Sequence, residues 1–209
     1  MSAIAGHEAL LERPRGARAL LVLAHGAGAG MRHPFMAGLA AGLAAGLAAR
    51  KIATMRWEFR YMTEGKRQPP RAEAAELEVR AAWAAATARA KLPCFAGGKS
   101  FGGRMTSRAH AAAALPGLRG LVLAGFPLHP PGKPAIARAE HLAGAAGPIL
   151  FVQGTRDELA DLALLRPVVA ALGTRATLHV IEGADHGFTR AGQVDAVAAA
   201  FAEWISHHL

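Results

Sequence analysis

The run G-K-S-F-G at residues 98–102 places a serine between two glycines, each two positions away from it. This spacing matches G-x-S-x-G, in which a strained turn between a strand and a helix presents the serine hydroxyl. The run also contains Gly-Lys-Ser, with which a phosphate-binding P-loop ends. That motif requires a glycine five residues before Gly98, where Pro93 stands. The run therefore predicts that Ser100 is a nucleophile.

A serine hydroxyl is a weak nucleophile, so it needs a base, and the base needs an acid to orient it. With this motif the acid follows the serine along the chain and a histidine comes last. Asp157 follows an apolar strand in the segment GTRD, with Glu158 and Asp161 as alternatives, and His186 follows the next strand in GADHGF. Because the carboxyl ends of parallel strands meet at one edge of a sheet, the pattern predicts a triad of Ser100, Asp157 and His186.

Acyl transfer through a serine also requires two backbone N–H groups that stabilise the developing oxyanion. The first is expected from Phe101, the residue after the nucleophile. The second is expected from the glycine-rich loop after the first apolar strand, with Ala27 as the donor and Gly28 as the alternative. The helix predicted to begin after Ser100 adds a favourable N-terminal dipole.

The loops that follow two other strands supply candidate walls for a substrate pocket. Tyr61 and Met62 follow one of these strands, and Leu128 and His129 follow the other. Their position at the ends of strands predicts that they line the pocket, and the alternative is that they only pack the loops.

The chain has a net charge of +9 at pH 7 and a pI of about 11.0. Such an excess can attract nucleic acid, but the basic residues are scattered and form neither a run of five or six nor a recognisable nucleic-acid motif. We therefore predict no nucleic-acid partner. Lys99 and Arg104 could attract an anionic substrate, but we expect them to be solvated residues at the start of a helix.

Short apolar runs alternate with long alanine-rich runs, which is typical of βαβ units and of a parallel sheet covered on both faces. We predict one α/β domain over residues 1–209, a three-layer α/β sandwich with a mainly parallel sheet. Residues 125–148 leave room for a short connection and not for a cap domain. The predicted strands cover residues 19–24, 52–59, 94–98, 120–125, 149–154 and 176–181, and the predicted helices cover residues 35–50, 71–91, 102–115, 159–172 and 194–208.

The longest uncharged run, residues 34–49, has 16 residues, fewer than the ~20 that span a bilayer. Its Gly38, Gly42 and Gly46 predict a helix whose glycine stripe lies close against a sheet. The N-terminus lacks a basic segment followed by an apolar one, and the single cysteine, Cys94, suits a reducing compartment. We therefore expect a cytoplasmic protein with no membrane span.

Six segments of the chain resemble, in order, the α/β-hydrolase superfamily. More narrowly, the chain is similar to small bacterial members related to dienelactone hydrolases, which are grouped with the hydrolase-like domain of testis-expressed and NSL-complex proteins. The resemblance extends over nearly the whole length of the chain. The segments are LAHGAGAGMRHPFM (23–36), RWEFRYM (56–62), GGKSFGGRM (97–105), FPLHPPGKP (126–134), FVQGTRD (151–157) and GADHGF (183–188).

The resemblance implies an α/β-hydrolase fold with Ser100 as nucleophile, Asp157 as acid and His186 as base. Dienelactone hydrolases use a cysteine as nucleophile, so their particular chemistry is not expected here. The predicted function is that of a carboxylesterase-like serine hydrolase, which cleaves an ester or related acyl bond of a small molecule and needs no metal or organic cofactor. Because some relatives serve in protein complexes, a catalytically silent interaction module is the alternative.

Overall fold

The computed structural model describes residues 2–45, 51–88 and 90–209. From Ala19 onward, strands alternate with helices, as the sequence predicts. The strands are β1 (Ser2–Ile4), β2 (His7–Glu12), β3 (Ala19–Ala24), β4 (Ile52–Trp57), β5 (Cys94–Lys99), β6 (Leu118–Ala124), β7 (Ile149–Arg156) and β8 (Ala176–Asp185). The helices are α1 (Pro34–Ala45), α2 (Arg60–Thr63), α3 (Ala72–Thr87), α4 (Phe101–Ala112), α5 (Leu162–Ala171) and α6 (Gln193–His207), with 3₁₀ segments at Ala137–Gly144 and Gly173–Arg175.

The eight strands form one sheet in the order β1-β2-β4-β3-β5-β6-β7-β8. Six neighbouring strands of this sheet pair in parallel, in the order β4, β3, β5, β6, β7 and β8. Strand β2 runs antiparallel to both of its neighbours, β1 and β4. The predicted mainly parallel sheet is therefore confirmed.

Strands β1 and β2 were not predicted from the sequence. A turn at Ala5 and Gly6 joins them, and both residues have positive φ, 48° and 78°, as tight hairpins require. Strand β1 has only three residues, which is too short for an alternating pattern to be distinguished from a loop.

Helices cover both faces of the sheet, which confirms the predicted three layers. One core lies between the sheet and the pair α1 and α6, and it contains the buried rings of Phe35, Phe188 and Phe201. The other lies between the sheet and helices α3, α4 and α5, and it contains Trp83 and Met105. The rows of apolar side chains on both faces of β3, β5 and β6 explain why these strands are buried along nearly their whole length.

The glycine stripe of α1 contacts a helix and not the sheet, which corrects the expectation. A Cβ atom added at Gly38 would lie 3.1 Å from Val194, and one added at Gly42 would lie 2.7 Å from Ala198. Both partners belong to α6, so the small residues let these two helices approach each other closely. The predicted end of the helix at residue 50, and Gly46, lie outside the described residues.

Strand β4 is shorter than predicted, because it ends at Trp57 and Phe59 precedes the short helix α2. Phe59 is fully buried, with its ring 4.3 Å from that of Trp57 and 5.3 Å from that of Phe101. A buried aromatic residue two positions beyond a strand continues the strand's alternation in the sequence, which accounts for the error.

The connection between β6 and β7, all of it described, is a loop followed by one 3₁₀ segment, Ala137–Gly144. No cap domain covers the sheet at this point, as predicted. The carboxyl ends of β3, β5, β6, β7 and β8 therefore meet at an open edge of the sheet. No helix in the described part of the chain is both long and apolar enough to cross a bilayer.

Candidate active site

Ser100 lies in the turn between β5 and α4 with φ 51° and ψ −119°, a conformation with positive φ that costs a non-glycine residue about 1–3 kcal/mol. Its N–H donates to the carbonyl of Ala124, which ties the turn to β6. A Cβ atom at Gly98 would lie 2.1 Å from the carbonyl oxygen of Ala24, and one at Gly102 would lie 2.5 Å from the same oxygen. The two glycines therefore allow the strained turn to sit against the end of β3.

The side chains of the predicted triad form one hydrogen-bonded chain. Nε2 of His186 lies 2.9 Å from Oγ of Ser100, and Nδ1 lies 2.9 and 2.8 Å from the two carboxylate oxygens of Asp157. In the neutral tautomer that this geometry favours, Nδ1–H donates to Asp157 and Nε2 accepts the hydroxyl proton of Ser100. The arrangement is that of a nucleophile, a base and the acid that orients the base.

The carboxylate of Asp157 is fully buried and has further donors besides His186. Nε2 of Gln153 donates to Oδ2, and the N–H of Leu159 donates to Oδ1 at 2.9 Å. Gln153 in turn accepts the N–H of Phe126 through its Oε1. These hydrogen bonds fix the orientation of the carboxylate toward the imidazole of His186.

Gln153 was not predicted as a site residue. A signal was present, because it is a polar residue inside the apolar strand β7 and is completely buried. A buried amide needs partners, and here one partner is the acid of the triad.

The two alternative acids, and Asp185 beside His186 in the sequence, have other roles. Glu158 is exposed, and Asp161 accepts the N–H of Ala163 as the N-cap of α5. Asp185 binds both the N–H and the hydroxyl of Thr189, and these hydrogen bonds lower the pKa of its carboxyl. Asp157 is the acid that the structure brings to His186.

The loop after β3 makes a turn in which the N–H of Ala29 donates to the carbonyl of Gly26 at 3.4 Å. The N–H groups of Ala27 and Gly28 lie inside this turn and take no part in its hydrogen bond, and both residues line the cavity beside Ser100. Phe101 is the first residue of α4, and the first hydrogen bond between turns joins Arg104 N–H to Ser100 O, so the N–H of Phe101 has no partner within the helix. Ala27, Gly28 and Ser100 thus line the same cavity, and Phe101 directly follows Ser100.

Buried polar side chains hold this loop in position. The hydroxyl of Tyr61 donates to the carbonyl of Ala27 at 2.7 Å, and Oε2 of Glu58 accepts the N–H of Met31 at 2.9 Å. Burial raises the pKa of the Tyr61 phenol, so the phenol stays protonated and able to donate. Glu58 was not among the predicted site residues, and nothing in its sequence position indicates the contact with Met31.

His25 anchors the start of the same loop from the core. Its Nδ1–H donates to the carbonyl of Gly26 at 2.8 Å, and its Nε2 accepts the N–H of Phe59 at 3.0 Å. Both nitrogens are therefore used by the neutral ring, and burial lowers the pKa of His25. This histidine directly precedes the glycine-rich loop in the sequence, but its role appears only when Phe59 is placed beside it.

A cavity of about 320 Å³ opens beside Ser100 and His186. Its walls are mainly apolar, so it suits an apolar part of a ligand. The lining residues are Gly26, Ala27, Gly28, Ala29, His33, Phe35, Met36, Lys99, Ser100, Leu159, His186 and Gly187.

The four predicted wall residues are not part of this lining. Tyr61 lies behind the loop that it holds, and Met62 lines a neighbouring polar cavity. Leu128 is fully buried in the core, and His129 accepts the N–H of Asp161 and so ties two loops together. Loops that follow strands can point back into the core, so a position at the end of a strand was too weak a criterion for a pocket wall.

Lys99 is buried and Arg104 is only partly exposed, which corrects the expectation that both are solvated. Lys99 is only 8% exposed, and no described residue accepts a hydrogen bond from its Nζ atom. Burial lowers the pKa of Lys99 to about 8 and that of Arg104 to about 10.

Among the described residues, no group of three or more histidine, cysteine or acidic side chains could hold a metal ion.

Residues 17–206 match the family described as the alpha/beta hydrolase domain. The match covers most of the chain, so the protein belongs to the α/β-hydrolase family. The resemblance expected from the six sequence segments is thereby confirmed.

Solved structures show the same fold. A dienelactone hydrolase from Anabaena variabilis has a TM-score of 0.79 at 22% identity, over 97% of this chain and 92% of that one. Est1E from Butyrivibrio proteoclasticus, solved with ferulic acid bound, has a TM-score of 0.78 at 16% identity, over 97% and 96% of the two chains. An α/β serine hydrolase without a lid from Xanthomonas campestris has a TM-score of 0.71 at 20% identity, over 95% and 89% of the chains.

Proposed function

We propose that this protein is a serine hydrolase that cleaves an ester or related acyl bond of a small molecule. The observation that carries the proposal is the continuous hydrogen-bonded chain from Ser100 through His186 to Asp157. Membership of the α/β-hydrolase family supports it. So does the strained backbone of Ser100, since such strain persists only where the surrounding structure enforces it.

In the proposed mechanism, Nε2 of His186 takes the hydroxyl proton while Oγ of Ser100 attacks the acyl carbonyl. Asp157 holds the imidazole with Nδ1–H toward itself and stabilises the imidazolium that forms. The N–H group of Phe101 and that of Ala27, or of Gly28, stabilise the tetrahedral oxyanion. The imidazolium then protonates the leaving group, which departs and leaves an acyl-enzyme on Ser100.

A water molecule completes the proposed cycle. It gives a proton to Nε2 of His186 and attacks the acyl carbonyl, which forms a second oxyanion at the same N–H groups. Collapse of this intermediate releases the acid, and the proton returns from His186 to Ser100. Each step uses only groups of this chain, the substrate and water.

The cavity favours a substrate with an apolar portion and supports carboxylesterase-like activity. Phe35, Met36 and Leu159 present apolar surface within 320 Å³ of space beside Ser100. Est1E has ferulic acid bound, and the Anabaena protein is named a dienelactone hydrolase; both facts concern those proteins. For this chain, they are the reason to test aryl and short alkyl esters first.

Labelling with a fluorophosphonate probe tests the proposal, because the probe reacts with a serine only when that serine is activated. Wild type should be labelled, and Ser100→Ala and His186→Ala should both lose labelling while they remain folded by circular dichroism. Ser107→Ala is the matched control, because Ser107 also contacts a histidine, His141, at 2.8 Å but is buried away from the cavity. A folded wild type that resists the probe would overturn the proposal in favour of a catalytically silent interaction module.

A further inference from the structure

The side chain of Lys99 ends in a closed apolar site. Nζ lies 5.8 Å from the ring centre of Phe35 and 5.5 Å from that of Phe188. The atom is inaccessible to solvent, and no described residue accepts a hydrogen bond from it. A buried ammonium without hydrogen bonds costs free energy, and the two ring faces offset only part of that cost.

The carboxylate of Asp157 and this ammonium both lie close to Gly125. A Cβ atom added at Gly125 would be 2.8 Å from Nζ of Lys99 and 3.5 Å from Oδ2 of Asp157. The two charged atoms are therefore no more than about 6 Å apart, and they form no direct ion pair. At such a distance in a buried site, opposite charges interact appreciably.

We propose that Lys99 is a positioning residue of the triad, whose buried charge beside Asp157 keeps His186 in the neutral form that accepts the proton of Ser100. The inference rests on the proposed function, because it concerns the base of that reaction. The carboxylate of Asp157 attracts a positive charge on the imidazole of His186, and the ammonium of Lys99 offsets part of that attraction. The ammonium thus disfavours a second positive charge at this site.

Other titratable groups face this site as well. Among the described residues they are Asp157 at the end of β7, Asp185 at the end of β8, and His33, which lines the cavity from the loop before α1. Asp157 and Asp185 both favour the charged form of Lys99, and burial opposes it. The lysine titrates near pH 8 under this balance, so it carries its charge through the range in which a histidine titrates.

The test replaces the charge and measures the proton affinity of His186 directly. NMR titration of ¹³C-labelled histidines gives the pKa of His186, with its signal assigned from the spectrum of His186→Gln. Lys99→Met should raise that pKa by about 0.5–1 unit, because one nearby positive charge is removed. Lys99→Arg should hold it close to the wild-type value, since the charge is kept.

Lys91→Met is the matched control, because it removes the same charge from an exposed side chain that precedes β5, at the opposite end of the strand. It should leave the pKa of His186 unchanged. Lys99→Gln removes the charge while keeping a polar end, and it replaces the Met variant if that variant fails to fold. A folded Lys99→Met or Lys99→Gln protein with the wild-type His186 pKa would overturn the inference.

Labelling separates this inference from the proposed function. If the wild type reacts with the fluorophosphonate, the acid limb of its rate profile should move up by the same 0.5–1 unit in Lys99→Met, so that the rate near pH 6 falls about 3–10-fold. If the wild type does not react but the NMR shift occurs, the proposed function fails and the coupling of Lys99 to His186 stands. If the wild type reacts, but neither the pKa of His186 nor the acid limb of the rate profile shifts in Lys99→Met, the proposed function stands and the inference about Lys99 is wrong.

Discussion

Nε2 of His186 and Oγ of Ser100 lie 2.9 Å apart, although 86 residues separate them along the chain. The strained turn at the end of β5 holds the serine, and the loop after β8 holds the histidine. Between β5 and β8 lie β6 and β7, and β7 supplies Asp157. The contact therefore depends on the register of four neighbouring strands.

Asp157→Asn should lower kcat by about 10³–10⁴-fold, because an amide can donate to Nδ1 and so favours the wrong tautomer of His186. Asp161→Asn is the control, since asparagine caps a helix as well as aspartate does. Ester hydrolysis and thermal unfolding should be measured for both variants. Equal kcat values for the two would mean that Asp157 does not orient the base.

Tyr61→Phe should reduce kcat by about 3–10-fold with a much smaller change in KM, because the carbonyl of Ala27 loses its hydrogen bond and the oxyanion donors lose their fixed position. The cost in stability should be about 1 kcal/mol. Steady-state kinetics together with urea denaturation separate the two effects. A loss of stability at unchanged kcat would show that Tyr61 only packs the loop.

Gly102→Ala should destabilise the fold by about 2–3 kcal/mol, because its Cβ would approach backbone atoms of Ala24 and His25 to 2.5 Å. Gly144→Ala is the control, since its Cβ would make only ordinary contacts of 3.6 Å or more. Chemical denaturation of both variants measures the difference. If the two variants were equally stable, the strand and helix would not be in the close contact that the structure shows.

Lys99 should make the stability of the protein depend on alkaline pH. Its pKa is about 8 in the folded chain and 10.5 as the ordinary value, so between these values the unfolded chain holds more protons. The contribution of Lys99 to the free energy of unfolding therefore rises with pH across that window. Lys99→Met should be more stable than the wild type at pH 7. This gap, the difference between their free energies of unfolding, should narrow toward pH 10.

Urea denaturation at several pH values between 7 and 10 measures this gap. Lys91→Met again supplies a control for a general change in net charge. A gap that stays constant with pH would show that Lys99 is not buried in its charged form. The result would also bear on the triad, because the same buried charge is proposed to act on His186.

Leu159→Trp should discriminate against longer acyl chains. Leu159 is partly buried and lines the cavity, so a larger side chain reduces the space beside Ser100. We expect kcat/KM for an octanoyl ester to fall at least 10-fold, while the value for an acetyl ester changes by less than about 3-fold. A uniform loss for both esters would instead indicate damage to the triad, because Leu159 N–H also binds Asp157.

The sequence by itself was sufficient for the fold class and for the choice of Ser100, Asp157 and His186, which the structure joins by hydrogen bonds. Alternating strands and helices predict a parallel sheet, and G-x-S-x-G at the junction of β5 and α4 locates Ser100 without any knowledge of packing. The order of serine, acid and histidine, with each residue after a strand, reduces the candidates to a few. These signals are local, so they can be read along the chain.

The tertiary structure alone decided the surroundings of those residues. Gln153 contacts Asp157, Tyr61 contacts Ala27, and Lys99 lies buried between two rings, although its position before a helix suggested solvation. The glycines of α1 face α6 and not the sheet for the same reason. Which side chain meets which depends on strand register and on how distant elements pack, and a pattern of residue types along one chain does not contain that information.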